Sequence, residues 1–205
     1  GTTVATNALL ERTGAVVALV VTAGLRDVIE IGRQARPSLY DQWQDRPEPL
    51  VPSRLRVEVA GRLDATGIEI EALDVDASDG GWSSLLGPRG VPNGVQAVAV
   101  CLLHADLNPD HEQQVASRLR EEGWDVTASH EVAPEFREFE RMVTTVVNAY
   151  LRPACRPYLE GLAGTAESVV VMTSAGGLVD LDTAASTPAR LLLSGPAGGA
   201  RAAAA

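Results

Sequence analysis

Apolar positions recur with two different periods along this chain of 205 residues, and each change of period marks a new element. Val16-Val-Ala-Leu-Val-Val-Thr22 is an unbroken, largely β-branched run of strand length, closed by the turn pair Ala23-Gly24. Leu25, Val28, Ile29 and Gly32 then fall at helical spacing and predict a short amphipathic helix over 25–31. Between Arg36 and Pro52, the prolines Pro37, Pro47, Pro49 and Pro52 deny regular structure, so a long surface excursion is expected there. Next, Leu55, Val57, Val59 and, after a slip, Leu63 alternate with charged residues. Asp64-Ala-Thr-Gly67 supplies a turn and Ile68-Glu-Ile70 resumes the alternation, which predicts an antiparallel hairpin with one wet face. Residues 74–94, rich in Gly, Asp, Ser and Pro, predict a loose connector, with one helical turn expected at Trp82–Leu86.

The clearest unit follows. A strand over Val95–Leu103 leads to Asn108-Pro109, a good N-cap and first-turn pair. Val115, Ala116 and Leu119 make an apolar stripe, Gly123 stands at the helix end, and Trp124–Ala128 returns as a strand. Strand, helix and strand in this length imply a right-handed parallel crossover. A second helix is predicted from Pro134, with Phe136, Phe139 and Met142 on one face. Thr144–Tyr150 predicts a strand or the hinge into one, and Arg152–Leu162 a helix with a broken or late start at Pro153 and Pro157. Ser168–Met172 predicts a buried strand running into Ser174-Ala-Gly-Gly177. Leu191–Leu193 leads to Ser194-Gly-Pro-Ala-Gly-Gly199 and an alanine-rich helix. The fold class is therefore α/β, with mixed sheets around a parallel βαβ crossover.

Composition narrows the function classes. With 27 Asp+Glu against 17 Lys+Arg the net charge is −10, which repels phosphate backbones and anionic lipid, so neither nucleic acid nor membrane is expected as a partner. The apolar run Ala15–Val21 is too short to span a bilayer and lacks signal-peptide flanks. Cys101 and Cys155 form no ligand pattern and are expected as reduced thiols of a cytoplasmic protein.

Candidate chemistry is concentrated in short polar and glycine-rich segments. Gly1-Thr2-Thr3 and Thr6-Asn7 offer donors for a phosphoryl group or a substrate carbonyl; the plainer alternative is a turn with a helix N-cap at Thr6 or Asn7. Ser194, Gly195, Gly198 and Gly199 stand just before a predicted helix, where free N–H groups favour anions, although glycines there also serve close packing. Ser174, Gly176 and Gly177 follow a strand end, a place for either a ligand or a plain turn. His104, His111 and His130 lack zinc-helix spacing and are expected as satisfied or surface residues, with no metal assigned. Glu135, Glu138, Glu140, Arg137 and Arg141 read as a solvated helix face. Arg33 and Arg36, beside Gln34, are placed to grip a carboxylate or a partner, or to remain solvated.

Five segments, in order, carry a family resemblance: Gly1–Arg12; Gly24–Gln34 with Arg36-Pro37 and Leu39–Asp41; Ala97–His104 with Asn108-Pro109 and His111-Glu112; Glu140-Arg141 with Thr144–Leu151; and Leu192–Gly199. Together they resemble the A subunits of the ATP-dependent hydantoinase/oxoprolinase family. The resemblance implies a partial actin-like (ribonuclease H-like) ATPase lobe, with residues 1–141 as the family's N-terminal region and 142–205 as the incomplete start of its ATPase region. It implies phosphorylation of a cyclic-amide carbonyl by ATP with Mg²⁺, then ring opening with a B-type subunit. The cleft candidates are then Gly1, Thr2, Thr3, Thr6, Asn7, Ser174, Gly176, Gly177, Ser194, Gly195, Gly198 and Gly199. The family's two Asp-x-Gly-Gly-Thr loops, expected before Gly1 and beyond Ala205, are not among these residues, and Ala175 stands where a polar residue is expected. The chain alone is accordingly expected to be an inactive fragment that binds no cofactor tightly. Two other roles fit the same fold: a chaperone that reactivates another enzyme, and a non-catalytic domain that docks a partner subunit.

Overall fold

The computed structural model describes residues 2–35, 37–74 and 94–203; Gly1, Arg36 and the helical turn expected at Trp82–Leu86 lie outside them. In chain order the helices and strands are α1 (Val4–Leu10), β1 (Val17–Thr22), α2 (Val28–Ile31), β2 (Arg56–Leu63), β3 (Glu69–Asp74), β4 (Ala97–Cys101), α3 (Asp110–Glu121), β5 (Val126–Ala128), α4 (Ser129–Val132), α5 (Glu138–Glu160), β6 (Val170–Met172), β7 (Leu178–Asp180), α6 (Leu181–Ser186) and α7 (Ser194–Ala203). They fall into two compact units, residues 17–146 and residues 1–16 with 147–205. Among the described residues no helix is long and apolar enough to cross a membrane.

In the unit of residues 17–146, five strands form one sheet in the order β3-β2-β1-β4-β5. Strand β1 pairs in parallel with both β2 and β4, and β4 with β5. Every residue of β1 and of β4 is buried, as expected for strands covered on both faces. The parallel β4–α3–β5 crossover predicted from the sequence is present, with Val98 opposite Val126 and Val100 opposite Ala128. Asn108 Oδ1 accepts from the Asp110 N–H at 3.0 Å, and Gly123, at φ +85°, turns the chain out of α3 where a side chain would be strained. The hairpin is also observed. Strand β2 buries Val57, Val59 and Leu63 and pairs antiparallel with β3, and the slip inferred near Leu63 appears as register shifts between Ala60 and Leu63. Helix α2 is shorter than predicted and buries none of its residues.

The C-terminal ends of the central strands are joined by buried charge. Glu112, on α3, has no exposed surface, and both of its oxygens are used. Oε1 accepts from the Leu102 N–H (2.9 Å) and the Ser129 hydroxyl (2.7 Å); Oε2 faces the His130 N–H (2.8 Å) and Nδ1 (2.5 Å). One carboxylate thus ties the end of β4 to the β5–α4 junction. Arg141, on α5, adds a second tie to the end of β4. Its Nη2 donates to Leu102 O (2.8 Å), and its Nη1 to Asp106 (2.6 Å) and to Glu135 O (3.0 Å). This corrects the reading of Glu138 and Arg141 as a solvated face, because Arg141 is 1% exposed. The predicted helix start at Pro134 is also corrected: α5 begins at Glu138, and Phe136 stays exposed.

Helix α5 overturns two further expectations. Thr144–Tyr150 is helical rather than a strand, and the helix runs unbroken through Pro153 and Pro157. The Thr144 and Thr145 hydroxyls donate back to Glu140 O (2.9 Å) and Arg141 O (2.7 Å), which satisfies β-branched polar residues inside a helix. The apolar face is Met142, Val146, Ala149, Leu151, Cys155 and Leu159, whereas Pro153 and Pro157 lie one turn apart on less buried positions. Cys101 and Cys155 are free and buried, and burial pushes their thiols up to about 12 and about 11.

The unit of residues 1–16 and 147–205 packs α1, most of α5, a two-stranded β6–β7 sheet, α6 and α7. Buried Asn148 on α5 anchors it: Nδ2 donates to Ser186 O (3.0 Å) and Oδ1 accepts from the Ala189 N–H (3.2 Å). Gly14 lies so close to the Tyr150 ring that a Cβ there would meet it at 2.2 Å, and the adjacent Ala15 N–H donates to Tyr150 O.

Two outcomes test the Glu112 brace. Glu112→Ala strands four donors, those of Leu102 and Ser129 buried and the two of His130 part-buried, and is expected to destabilise by roughly 3–5 kcal/mol in urea unfolding of the full-length protein. The His130 pKa is raised, chiefly by its hydrogen bond to Glu112, against the opposing effect of burial. Its stabilising contribution is therefore complete below the unfolded value of about 6.5 and declines as pH rises through the folded value. The stability margin of the wild type over His130→Asn should shrink as pH rises above about 6.5, in pH-dependent urea unfolding.

Candidate functional site

The described cleft candidates all lie in the unit of residues 1–16 and 147–205, and α7 gathers several of them. Ser194, Gly198 and Arg201 share one face of this helix by their spacing of four and three residues. At its start, the buried Ser194 hydroxyl donates to Thr2 O (3.4 Å), and the Leu193 N–H donates to Thr6 Oγ1 (3.3 Å). Leu193 itself is held at φ +60°, a conformation uncommon for a leucine. One turn on, a Cβ at Gly198 would meet Met172 Sδ at 3.0 Å. A further turn on, the Arg201 guanidinium donates to Gly176 O. Thr2, Thr6, Ser194, Gly176 and Gly198 are thereby connected through a single helix.

Three local expectations change. Ser194–Gly199 is not a loop before a helix, since α7 begins at Ser194 and contains all four candidate residues of that motif. Gly198 and Gly199 consequently need no left-handed conformation. Thr6 and Asn7 are not N-caps but lie inside α1, whose N-cap position is Thr3, with Thr3 O accepting from the Asn7 N–H (2.8 Å). Ser174–Gly177 is a plain turn, one of the two readings its sequence allows, but the strand before it is neither parallel nor buried throughout. It is the turn of the antiparallel β6–β7 hairpin, with Gly176 at φ +81° and the Thr173 N–H on Gly177 O (2.9 Å); of β6 only Val171 is buried. The exposed Ser174 is tied down through its N–H to Arg190 O (2.8 Å). Asn7 is exposed, and Gly195 and Gly199 border open space.

The group offers hydroxyls, amides and backbone N–H donors at a helix N-terminus, and no carboxylate. That donor set suits phosphoryl or carbonyl oxygen and not a magnesium ion. The unit of residues 17–146 holds a polar cluster that sequence periodicity missed. His104, Asp106 and Glu138 bring their ligand atoms within 4.8 Å of one another, but Arg141 lies against both carboxylates, 2.6 Å from Asp106 and 3.7 Å from Glu138. His111 and His130 each face a carboxylate, Glu69 and Glu112, at 2.5 Å. Only the adjacent His111-Glu112 pair hinted at this in the sequence, because the partners stand 18 and 42 residues away.

Residues 1–123 match the model of the hydantoinase/oxoprolinase N-terminal region, and residues 141–205 that of hydantoinase/oxoprolinase. The chain belongs to the hydantoinase/oxoprolinase family. Caprolactamase subunit alpha of Pseudomonas jessenii is 39% identical over 164 residues, covering 78% of this chain and 23% of the relative. 5-Oxoprolinase 1 of Arabidopsis thaliana is 35% identical over 218 residues, covering 97% of this chain and 17% of the relative. Among solved structures, the ATP-dependent caprolactamase of Pseudomonas jessenii aligns with a TM-score of 0.78 at 32% identity, over 96% of this chain and 29% of that one. An acetone carboxylase aligns with a TM-score of 0.84 at 25% identity, over 98% and 30%. This hydantoinase/oxoprolinase chain therefore spans less than a third of the length of these relatives, and its mixed α/β fold is that of the partial actin-like lobe expected from the sequence.

The helical setting of the glycines yields a test. Gly199 faces open space inside α7, so Gly199→Ala is expected to stabilise by up to about 1 kcal/mol. Gly198→Ala gains the same propensity but must displace the end of the Met172 side chain, and should be close to neutral. Thermal unfolding of both variants checks this; a large loss at either position would place the glycines in a tighter setting.

Proposed function

We propose that the chain is part of an ATP-dependent cyclic-amide hydrolase. The supporting observation is its similarity, over 78% and 97% of its length, to a caprolactamase subunit alpha and to a 5-oxoprolinase, two proteins named for opening lactam rings. A ring amide is a poor electrophile. Transfer of the ATP γ-phosphoryl group to its carbonyl oxygen makes the carbon attackable and couples ring opening to ATP. Catalysis of that transfer rests on positioning and on neutralising charge. On this reading the Thr2, Thr6 and Ser194 group at the start of α7 borders the phosphate or substrate side of the cleft. Magnesium would be held by carboxylates outside the chain. Residues 1–141 are the N-terminal region and 142–205 open the ATPase region. A B-type subunit completes hydrolysis, in the cytoplasm.

The acetone carboxylase alignment, with the higher TM-score, favours a second reading: ATP-dependent carboxylation within the same frame. One assay separates them. ATP turnover by the full-length protein with its B-type subunit should rise several-fold with a cyclic amide such as 5-oxoproline, caprolactam or a hydantoin. It should not respond to acetone with bicarbonate. The reverse pattern would favour the carboxylase. The 205-residue chain alone should show no substrate-dependent ATP turnover.

A further inference from the structure

In the segment Thr144–Leu151 of α5 the two threonine hydroxyls serve the helix itself, and the Tyr150 ring packs on Gly14. Asn148 has a different task. It is fully buried, and a buried amide is tolerated where its donor and its acceptor both find partners. Here both partners are backbone groups of one short segment, Ser186 O and the Ala189 N–H. Ser186 closes α6, and Ala189 lies in the 3₁₀ turn Pro188–Leu191 that follows.

The candidate cleft group hangs from that segment on two sides. Arg190 O accepts from the Ser174 N–H (2.8 Å), which seats the Ser174–Gly177 turn. Beyond the buried Leu191, the Leu193 N–H reaches Thr6 Oγ1 and the Ser194 hydroxyl reaches Thr2 O. Leu193, at φ +60°, holds a conformation that leucine rarely adopts, so the ties before and after it decide where α7 begins. On the same turn of α5 as Asn148, Tyr150 O accepts from the Ala15 N–H (2.9 Å), which holds the chain leaving α1. One turn of α5 is thus the common base of α1, the β6–β7 turn and the start of α7.

We propose that Asn148 is a positioning residue of the ATP-dependent reaction: it holds the Ser186–Arg190 segment so that the start of α7 and the Ser174–Gly177 turn stand ready for a phosphoryl or lactam oxygen. The inference rests on the proposed hydrolase reading, and Asn148 acts through the backbone it holds. A shift of about 1 Å in groups that align a reacting centre can cost on the order of 100-fold in rate. The clamp needs an amide, because Ser186 O requires a donor and the Ala189 N–H an acceptor on one planar group. An aspartate of the same shape meets Ser186 O with a charge when ionised, and with an O–H donor when protonated.

The test uses the full-length protein with its B-type subunit and measures ATP turnover with 5-oxoproline, caprolactam or a hydantoin, whichever the wild type accepts. Asn148→Asp and Asn148→Ser are compared with the wild type well below their melting temperatures, with kcat expressed per folded molecule. Both are expected to lose at least about tenfold in kcat at about pH 8. Burial raises a carboxyl pKa, so Asn148→Asp should regain activity relative to the wild type as pH falls from about 8 to about 6, and Asn148→Ser should not. Hydrogen exchange of the wild type gives a readout that needs no variant to fold. With a non-hydrolysable ATP analogue and the cyclic amide bound, the amides of residues 189–194 should exchange several-fold more slowly. Turnover per folded molecule within about twofold of the wild type in both variants, or exchange at residues 189–194 unmoved by the ligands, makes Asn148 a fastener of the fold alone. Either result overturns the positioning role while the hydrolase reading stands. A wild type with no cyclic-amide-dependent ATP turnover overturns both.

Discussion

A fully buried carboxylate is costly unless every lone-pair direction is met, and Glu112 meets that condition with four contacts from three residues. Because those residues belong to the end of β4 and to the β5–α4 junction, one side chain on α3 fixes where two adjacent parallel strands stop. Arg141 applies the same logic with opposite charge, reaching Leu102 O from α5 while neutralising Asp106. Leu102 is the shared point: its N–H goes to the carboxylate and its carbonyl to the guanidinium. The C-terminal edge of the parallel sheet, where α/β proteins commonly place ligands, is here occupied by its own charges. The candidates taken from the sequence lie in the other unit, on α1, α7 and the β6–β7 turn.

Much of the fold was legible because strands buried on both faces must be continuously apolar. Val17–Thr22 and Ala97–Cys101 admit no other reading, and the crossover between β4 and β5 follows from length and capping. The errors have one cause. Thr144–Tyr150 has the composition of a strand, but its hydroxyls find carbonyls four residues back, so a local preference yields to a helix whose apolar face is buried. Glu138 and Arg141 look like a solvated pair by spacing. Burial of Arg141 depends on Asp106 and Leu102, more than 30 residues away, and no local pattern reports such partners.

Several of the candidate segments lie together in the fold, but not in the form the sequence suggested. Ser194–Gly199 drew notice as a glycine-rich turn, and the structure winds it into the first turns of a helix. Glycine there gives up helix propensity and brings the helix close to Met172. The links from Thr2 and Thr6 to residues 193 and 194 span nearly the whole chain, and spacing could not have supplied them. Family resemblance placed these segments in one group on other grounds, and hydrogen bonds join them.

The edge of the five-stranded sheet carries a consequence of another kind. Among the described residues β3 is an outermost strand, most of it exposed, with only β2 as a partner. An open strand edge invites pairing with a second chain, and that is the usual start of sheet-like aggregation. Along β3 the sequence reads Glu69-Ile-Glu-Ala-Leu-Asp74, so a second copy meeting it edge to edge would bring like charges into register. The same carboxylates that make the chain acidic thus act as a solubility device at the point where the fold most needs one.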